Sequence, residues 1–90
     1  MNIQRKIVVR GKVQGVGFRA ATRRKAMELG IRGSVRNLDD GSVEILASVT
    51  DKEFKIFENW CREGPSDARV NRLEISELDQ TGFTDFSIDY

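Results

Sequence analysis

Two glycines at positions 15 and 17, an arginine at 19 and an asparagine at 37 are the residues whose types and spacing suit chemistry. In "GKVQGVGFR", residues 11–19, Gly15 and Gly17 allow positive φ and let the backbone approach a ligand with no Cβ in the way. Successive N–H groups in such a turn can converge on an anion. A helix expected to begin near Arg19 would add unpaired N–H groups and about half a positive charge at its start. Arg19 itself offers a planar fork that suits two phosphate oxygens. The competing reading is a tight connection whose arginine is solvated. Two familiar phosphate loops are excluded by composition. The dinucleotide fingerprint needs glycine at position 20, which is Ala20, and a Walker loop needs Gly-Lys-Ser/Thr after its second glycine.

Asn37 is the second clue. It continues the parity of Gly33 and Val35 yet ends their strand with an amide, which can hold a water through a donor and an acceptor. It could equally start the turn into "LDDG", a position asparagine suits.

These residues need a scaffold, and the spacing of apolar side chains supplies one. Residues 5–13 alternate, with Ile7, Val9, Gly11 and Val13 on one side and Lys6, Val8, Arg10 and Lys12 on the other, as in a half-buried strand. After the glycine turn, Phe18, Thr22, Ala26 and Leu29 share a helical face, and Gly30 sits where a helix end favours glycine. Residues 31–37 form a second strand, "NLDDGSVEI" a turn, and Val43, Ile45, Ala47 and Val49 the inward side of a third strand. "TDKE", residues 50–53, is a capping box that opens a helix carrying Phe54, Phe57, Trp60 and Cys61 on one stripe. Val70, Leu73 and Ile75 predict a fourth strand whose parity shift between Val70 and Leu73 calls for a bulge. Phe86, Ile88 and Tyr90 predict a closing edge strand.

The order is βαββαβ plus a C-terminal edge strand. It is an α+β, ferredoxin-like split βαβ sandwich, with an antiparallel sheet carrying both helices on one face. Ninety residues suit a single domain over 1–90 with one thin core. No apolar run approaches a membrane span, and the first residues lack the apolar stretch of a signal peptide. The lone Cys61 cannot form an internal disulfide, which suits a reducing cytoplasm. Net charge is only +1, but residues 1–36 hold ten Lys/Arg against one acid, Glu28, and residues 37–90 hold five against thirteen acids. That asymmetry points to an anionic partner, or to strands that interleave and average it out.

With these elements placed, "RGKVQGVGFR" from Arg10 to Arg19 and "A-x-x-L-G-I-x-G-x-V-R-N-x-x-D-G-S-V-E" from Ala26 to Glu44 resemble the acylphosphatase family. "W-x-x-x-G-P-x-x-A-x-V" from Trp60 to Val70 and the closing "FSI" continue the match, and the first block is also shared with N-terminal domains of carbamoyl-transferring maturation proteins. The resemblance implies hydrolysis of the carboxyl–phosphate bond of small acyl phosphates, with inorganic phosphate or sulfate as product-like ligand. It implies that Arg19 and the backbone N–H groups of Gly15, Val16, Gly17 and Phe18 bind the phosphoryl group and that Asn37 orients the attacking water. No metal and no cofactor are implied, nor a nucleic acid or membrane partner, and a monomer is expected. Ser34 departs from the family, many members of which carry an aromatic there, and "AATRR" after Arg19 lacks aromatics that some relatives have.

The chemistry agrees with the residues available. A carboxylate whose acid has a pKa of ~4 leaves at neutral pH without a proton donor. Phosphate monoesters leave as alkoxides and usually need a general acid or metal ions. A chain with no histidine and one cysteine is left with positioning and electrostatics, the two effects that a loose phosphoryl-transfer transition state chiefly needs. Whether the phosphate's own oxygen takes the water's proton or the proton moves after attack stays open. The rival readings are a non-catalytic anion-binding module and an RNA-binding ferredoxin-like domain. The latter would need aromatics on the outward side of its central strands, where the first strand has Lys6, Val8, Arg10 and Lys12.

Overall fold

The computed structural model describes residues 2–90 and contains β1 (Ile3–Lys12), α1 (Phe18–Leu29), β2 (Arg32–Asn37), β3 (Val43–Val49), α2 (Asp51–Glu63), β4 (Arg69–Glu77) and β5 (Phe86–Asp89). The strands form one sheet in the order β4-β1-β3-β2-β5. Alternation sets its two faces. Ile7 and Val9 of β1, Val35 of β2, and Val43, Ile45, Ala47 and Val49 of β3 are buried in one cluster with Phe18, Ala26, Phe57 and Cys61 from the helices. Burying a Val, Ile or Phe side chain is worth ~1.5–3 kcal/mol, so this seam supplies most of the driving force.

The opposite face is polar and tied by charge. Glu44 on β3 is buried between Lys6 Nζ at 3.5 Å and Arg36 Nε at 2.9 Å, which lie on the strands either side. Bases from the first third of the chain thus meet acids from the rest. The sorting of charge along the sequence is largely undone in space.

Local signals fix the ends of the elements. Thr50 Oγ1 accepts from the Glu53 N–H at 3.2 Å while Glu53 Oε1 accepts from the Thr50 N–H at 2.9 Å, the reciprocal cap expected for α2. On β4, Arg72 pairs with Arg10 and Val70 with Gly11, leaving Asn71 as the extra residue of a bulge. Phe18 packs on Trp60 with ring centroids 5.8 Å apart, joining the start of α1 to the end of α2.

One strand departs from the antiparallel sheet. β5 runs parallel to β2, while every other neighbouring pair is antiparallel. β4 and β5 occupy opposite edges, so residues 78–85 must cross the width of the sheet. Four strand spacings of ~4.8 Å make roughly 19 Å, which eight extended residues can span. β5 therefore starts at the end of the sheet where β4 finishes, and the Gly33 N–H donating to Asp85 O at 2.8 Å fastens that start to β2. Among the described residues no helix is long and apolar enough to cross a membrane.

The topology brings three chain ends together. β1, β2 and β5 all finish at the same end of the sheet, and Val9, Val43 and Asn37 share one rung across β1, β3 and β2. The loop after β1, the amide at the end of β2 and the residue following β5 therefore converge.

Candidate active site

Residues 13–18 alternate between anchors and exposed backbone. Val13 and Phe18 are buried and Val16 packs against the core, while Gly15 and Gly17 are exposed. Gly15 (φ 75°) and Gly17 (φ 77°) both adopt the left-handed conformation, which no residue with a Cβ adopts cheaply. Gly17 is the N-cap of α1. It has no side chain to cap the helix, and no acid stands in the first turn. The first backbone bond of the helix is the Ala21 N–H to Gly17 O at 3.1 Å, so the N–H groups of Phe18, Arg19 and Ala20 have no intrahelical acceptor. The positive end of α1 is thus left open to an anion.

That opening is a pocket of about 160 Å³, with Gly15, Gly17, Phe18, Arg19 and Asn37 in its lining and Ile88 and Tyr90 beside them. Arg19 is half-buried, its guanidinium carbon lies 4.8 Å from the centre of the Tyr90 ring, and it joins none of the ion pairs formed among the described residues. Asn37 Oδ1 is buried with no hydrogen-bond partner among the described residues. A buried acceptor left unpaired costs ~1–3 kcal/mol, so its retention at the mouth of β2 asks for a donor from outside the protein. Water is the simplest such donor.

Of the residues singled out from the sequence, Gly15, Gly17, Phe18, Arg19 and Asn37 meet around this pocket. Val16 does not line it. Its side chain turns to the core and its residue borders a neighbouring groove. Ser34 lies on the sheet face away from Gly33 and Val35, opposite Leu46. Cys61 is buried in α2, and burial pushes its thiol pKa far up, so it stays protonated and unreactive. Arg23 on α1 donates from Nε to Phe86 O at 3.0 Å and fastens α1 to β5.

Two supports escaped the sequence reading. Gln14 Nε2 donates to Leu38 O at 2.8 Å and to Ser42 O at 2.9 Å, bracing the glycine loop against the turn that carries Asn37. A lone glutamine before a glycine carries no local signal for this, because both acceptors lie more than twenty residues away in sequence. The turn is held in addition by Asp40, whose Oδ1 accepts from the Ser42 N–H at 2.9 Å and from its hydroxyl, and whose Oδ2 accepts from Arg10 Nη1 at 3.0 Å. Those Ser42 donors, and then Arg10, hold the Asp40 carboxyl pKa down to about 2. Arg10 in turn meets Glu74 at 3.1 Å, linking the turn to β1 and β4.

The architecture is a ferredoxin-like α+β sandwich with an anion-receptive loop where β1 meets α1. Comparison with known proteins makes the class specific. The acylphosphatase family profile matches residues 5–88. An acylphosphatase of Marinobacter nauticus is 51% identical over 81 residues, covering 89% of this chain and 88% of its own. The solved acylphosphatase of Coxiella burnetii superposes with a TM-score of 0.92 at 36% identity, covering 98% of this chain and 93% of its own. That of Bacillus subtilis has the same TM-score, 0.92, and the same identity, 36%, over 98% of this chain and 99% of its own. The chain belongs to the acylphosphatase family.

Proposed function

We propose that the open start of α1, the Gly15–Phe18 amides and Arg19 hold the phosphoryl group of a small acyl phosphate while Asn37 presents the attacking water. The reaction is the hydrolysis of the carboxyl–phosphate bond to carboxylate and inorganic phosphate. The water oxygen bonds to phosphorus as the bond from phosphorus to the acyl oxygen breaks. The carboxylate leaves with the bonding pair, and the water's two protons end on the phosphate as H2PO4−. The guanidinium and the amide dipoles neutralise charge on the equatorial oxygens, in a setting prearranged before substrate arrives. Asn37 contributes an acceptor for one water proton and fixes the angle of approach.

The observation that carries this reading is a coincidence in space: among the described residues, an uncapped helix start, an arginine in no ion pair and an unpaired buried amide oxygen share one pocket. Benzoyl phosphate hydrolysis by the purified chain tests it. Turnover that persists in EDTA is expected. Arg19→Ala should lose phosphate inhibition and turnover together, and Asn37→Ala should lose turnover with phosphate inhibition largely kept. Equal loss of phosphate binding in both variants would contradict the division of roles.

The other readings find less support. The outward side of the central strands carries Lys6, Val8, Arg10, Glu44 and Leu46, with no aromatic for a base to stack on. The chain acts as one domain built on a single core, and as a monomer. The large apolar side chains left exposed, Met27, Ile56, Ile75 and Tyr90, are spread over four separate parts of the fold. A single buried thiol suits the cytoplasm.

A further inference from the structure

We infer that this chain favours acyl phosphates whose acyl part carries a second anionic group, seated by Lys12 and Arg69 in a groove beside the phosphoryl pocket. The inference rests on the proposed hydrolysis and on the phosphoryl position assigned above.

The groove measures about 450 Å³ and is lined by Lys12, Gln14, Gly15 and residues 66–69. Gly15 lines both hollows, and a Cβ built there would meet nothing within 4 Å. The two hollows lie on opposite sides of the loop. The phosphoryl pocket faces Asn37 and the end of β5, whereas the groove faces the start of β4; in the sheet order β4 adjoins β1 on one side, and β2 lies on the other side beyond β3. In-line displacement turns that placement into a direction. Water held by Asn37 enters from the β2 side, so the acyl oxygen leaves on the side facing β4. The acyl carbons then extend over Gly15 into the groove.

Charge decides what the groove accepts. Lys12 and Arg69 stand directly opposite each other in the β1–β4 ladder, an arrangement of like charges that destabilises a sheet. Neither belongs to any ion pair formed among the described residues, whereas Lys6 and Arg10 on the same strand are both paired with carboxylates. Asp67 is the one acid in the lining, so the groove keeps an excess of positive charge. A carboxylate on the acyl chain would relieve the repulsion that the bare ladder carries.

The test compares 4-carboxybenzoyl phosphate with its neutral analogue 4-carbamoylbenzoyl phosphate, which match in shape. At low ionic strength kcat/KM should favour the charged substrate by about three- to tenfold, the range that two exposed ion pairs supply. The ratio should shrink as salt is added. In the Lys12→Gln/Arg69→Gln double variant it should fall to about one, and in Lys12→Glu/Arg69→Glu below one. Equal rates for the two substrates with the unaltered chain would overturn the inference, as would a preference that survives salt and both double variants. If a double variant fails to fold, the salt dependence of the unaltered chain decides alone. Equal hydrolysis of both substrates by the unaltered chain sinks only this inference, whereas absence of hydrolysis of either substrate sinks the parent reading with it.

Discussion

Replacing Gln14 separates a brace from a bystander. Its side-chain nitrogen makes two hydrogen bonds, at 2.8 and 2.9 Å, to carbonyls at the two ends of the 38–42 turn. Each carbonyl keeps a second donor in its absence, Leu38 O from the Gly41 N–H at 3.2 Å and Ser42 O from the Leu38 N–H at 2.9 Å. Gln14→Ala therefore leaves no buried acceptor orphaned, and the loss sits near ~0.5–1 kcal/mol per bond. The sum is about 1–2 kcal/mol, or roughly 4–8 °C in Tm for each kcal/mol in a domain of this size. The effect on turnover should exceed the effect on folding, because the brace sets the spacing between phosphoryl loop and water. A displacement of ~1 Å between reacting groups can cost about 10²-fold. Gln14→Glu is the sharper variant. It keeps the shape but points a carboxylate at two carbonyl oxygens, so it should be less stable and less active than Gln14→Ala. Thermal unfolding and benzoyl phosphate kinetics on the three proteins, with phosphate inhibition as a control for the loop, read all of this. Wild-type stability and kcat in Gln14→Glu would refute the brace.

Gly17→Ala should cost ~1–2 kcal/mol from backbone strain alone, since φ is 77° and an added Cβ meets nothing within 4 Å; chemical denaturation measures it, and phosphate inhibition should weaken with it. Asp40 has its pKa held at about 2 in the fold, below the 3.8 of a free side chain, chiefly by the Ser42 hydroxyl and amide and then by Arg10. A lowered carboxyl pKa stabilises above the unfolded value and is lost as pH falls through the folded one, so the Asp40 contribution should be complete above pH ~4 and fade towards pH ~2. Urea midpoints across that window should fall less steeply for Asp40→Asn than for the unaltered chain, and parallel curves would contradict the assignment.

Much of the scaffold is written in local spacing. Alternation along β1 and β3 fixes which side chains face the helices, because strand side chains have a period of two. The parity break between Val70 and Leu73 marks the bulge at Asn71, and the reciprocal Thr50–Glu53 bonds are set within four residues. The glycine pair and Arg19 are legible for the same reason, since loop and helix start adjoin in sequence. What escapes local reading depends on where distant segments return. The parallel pairing of β5 follows from the crossing made by residues 78–85, and it brings Tyr90 against Arg19. Gln14 and Arg23 find their acceptors 24 to 63 residues away. The charge asymmetry between the chain's first third and the rest reads as an anion-binding signal in one dimension, yet Lys6, Arg10 and Arg36 spend it on Glu44, Asp40 and Glu74.

The central claim is that main-chain amides and one guanidinium grip the phosphoryl group. Titrating inorganic phosphate into 15N-labelled protein tests it most directly. The account predicts that the amide signals of Gly15, Val16, Gly17 and Phe18 move together along one saturation curve, and that Arg19→Ala abolishes the movement. Static loop amides in the presence of phosphate, or an unchanged titration in Arg19→Ala, would contradict it.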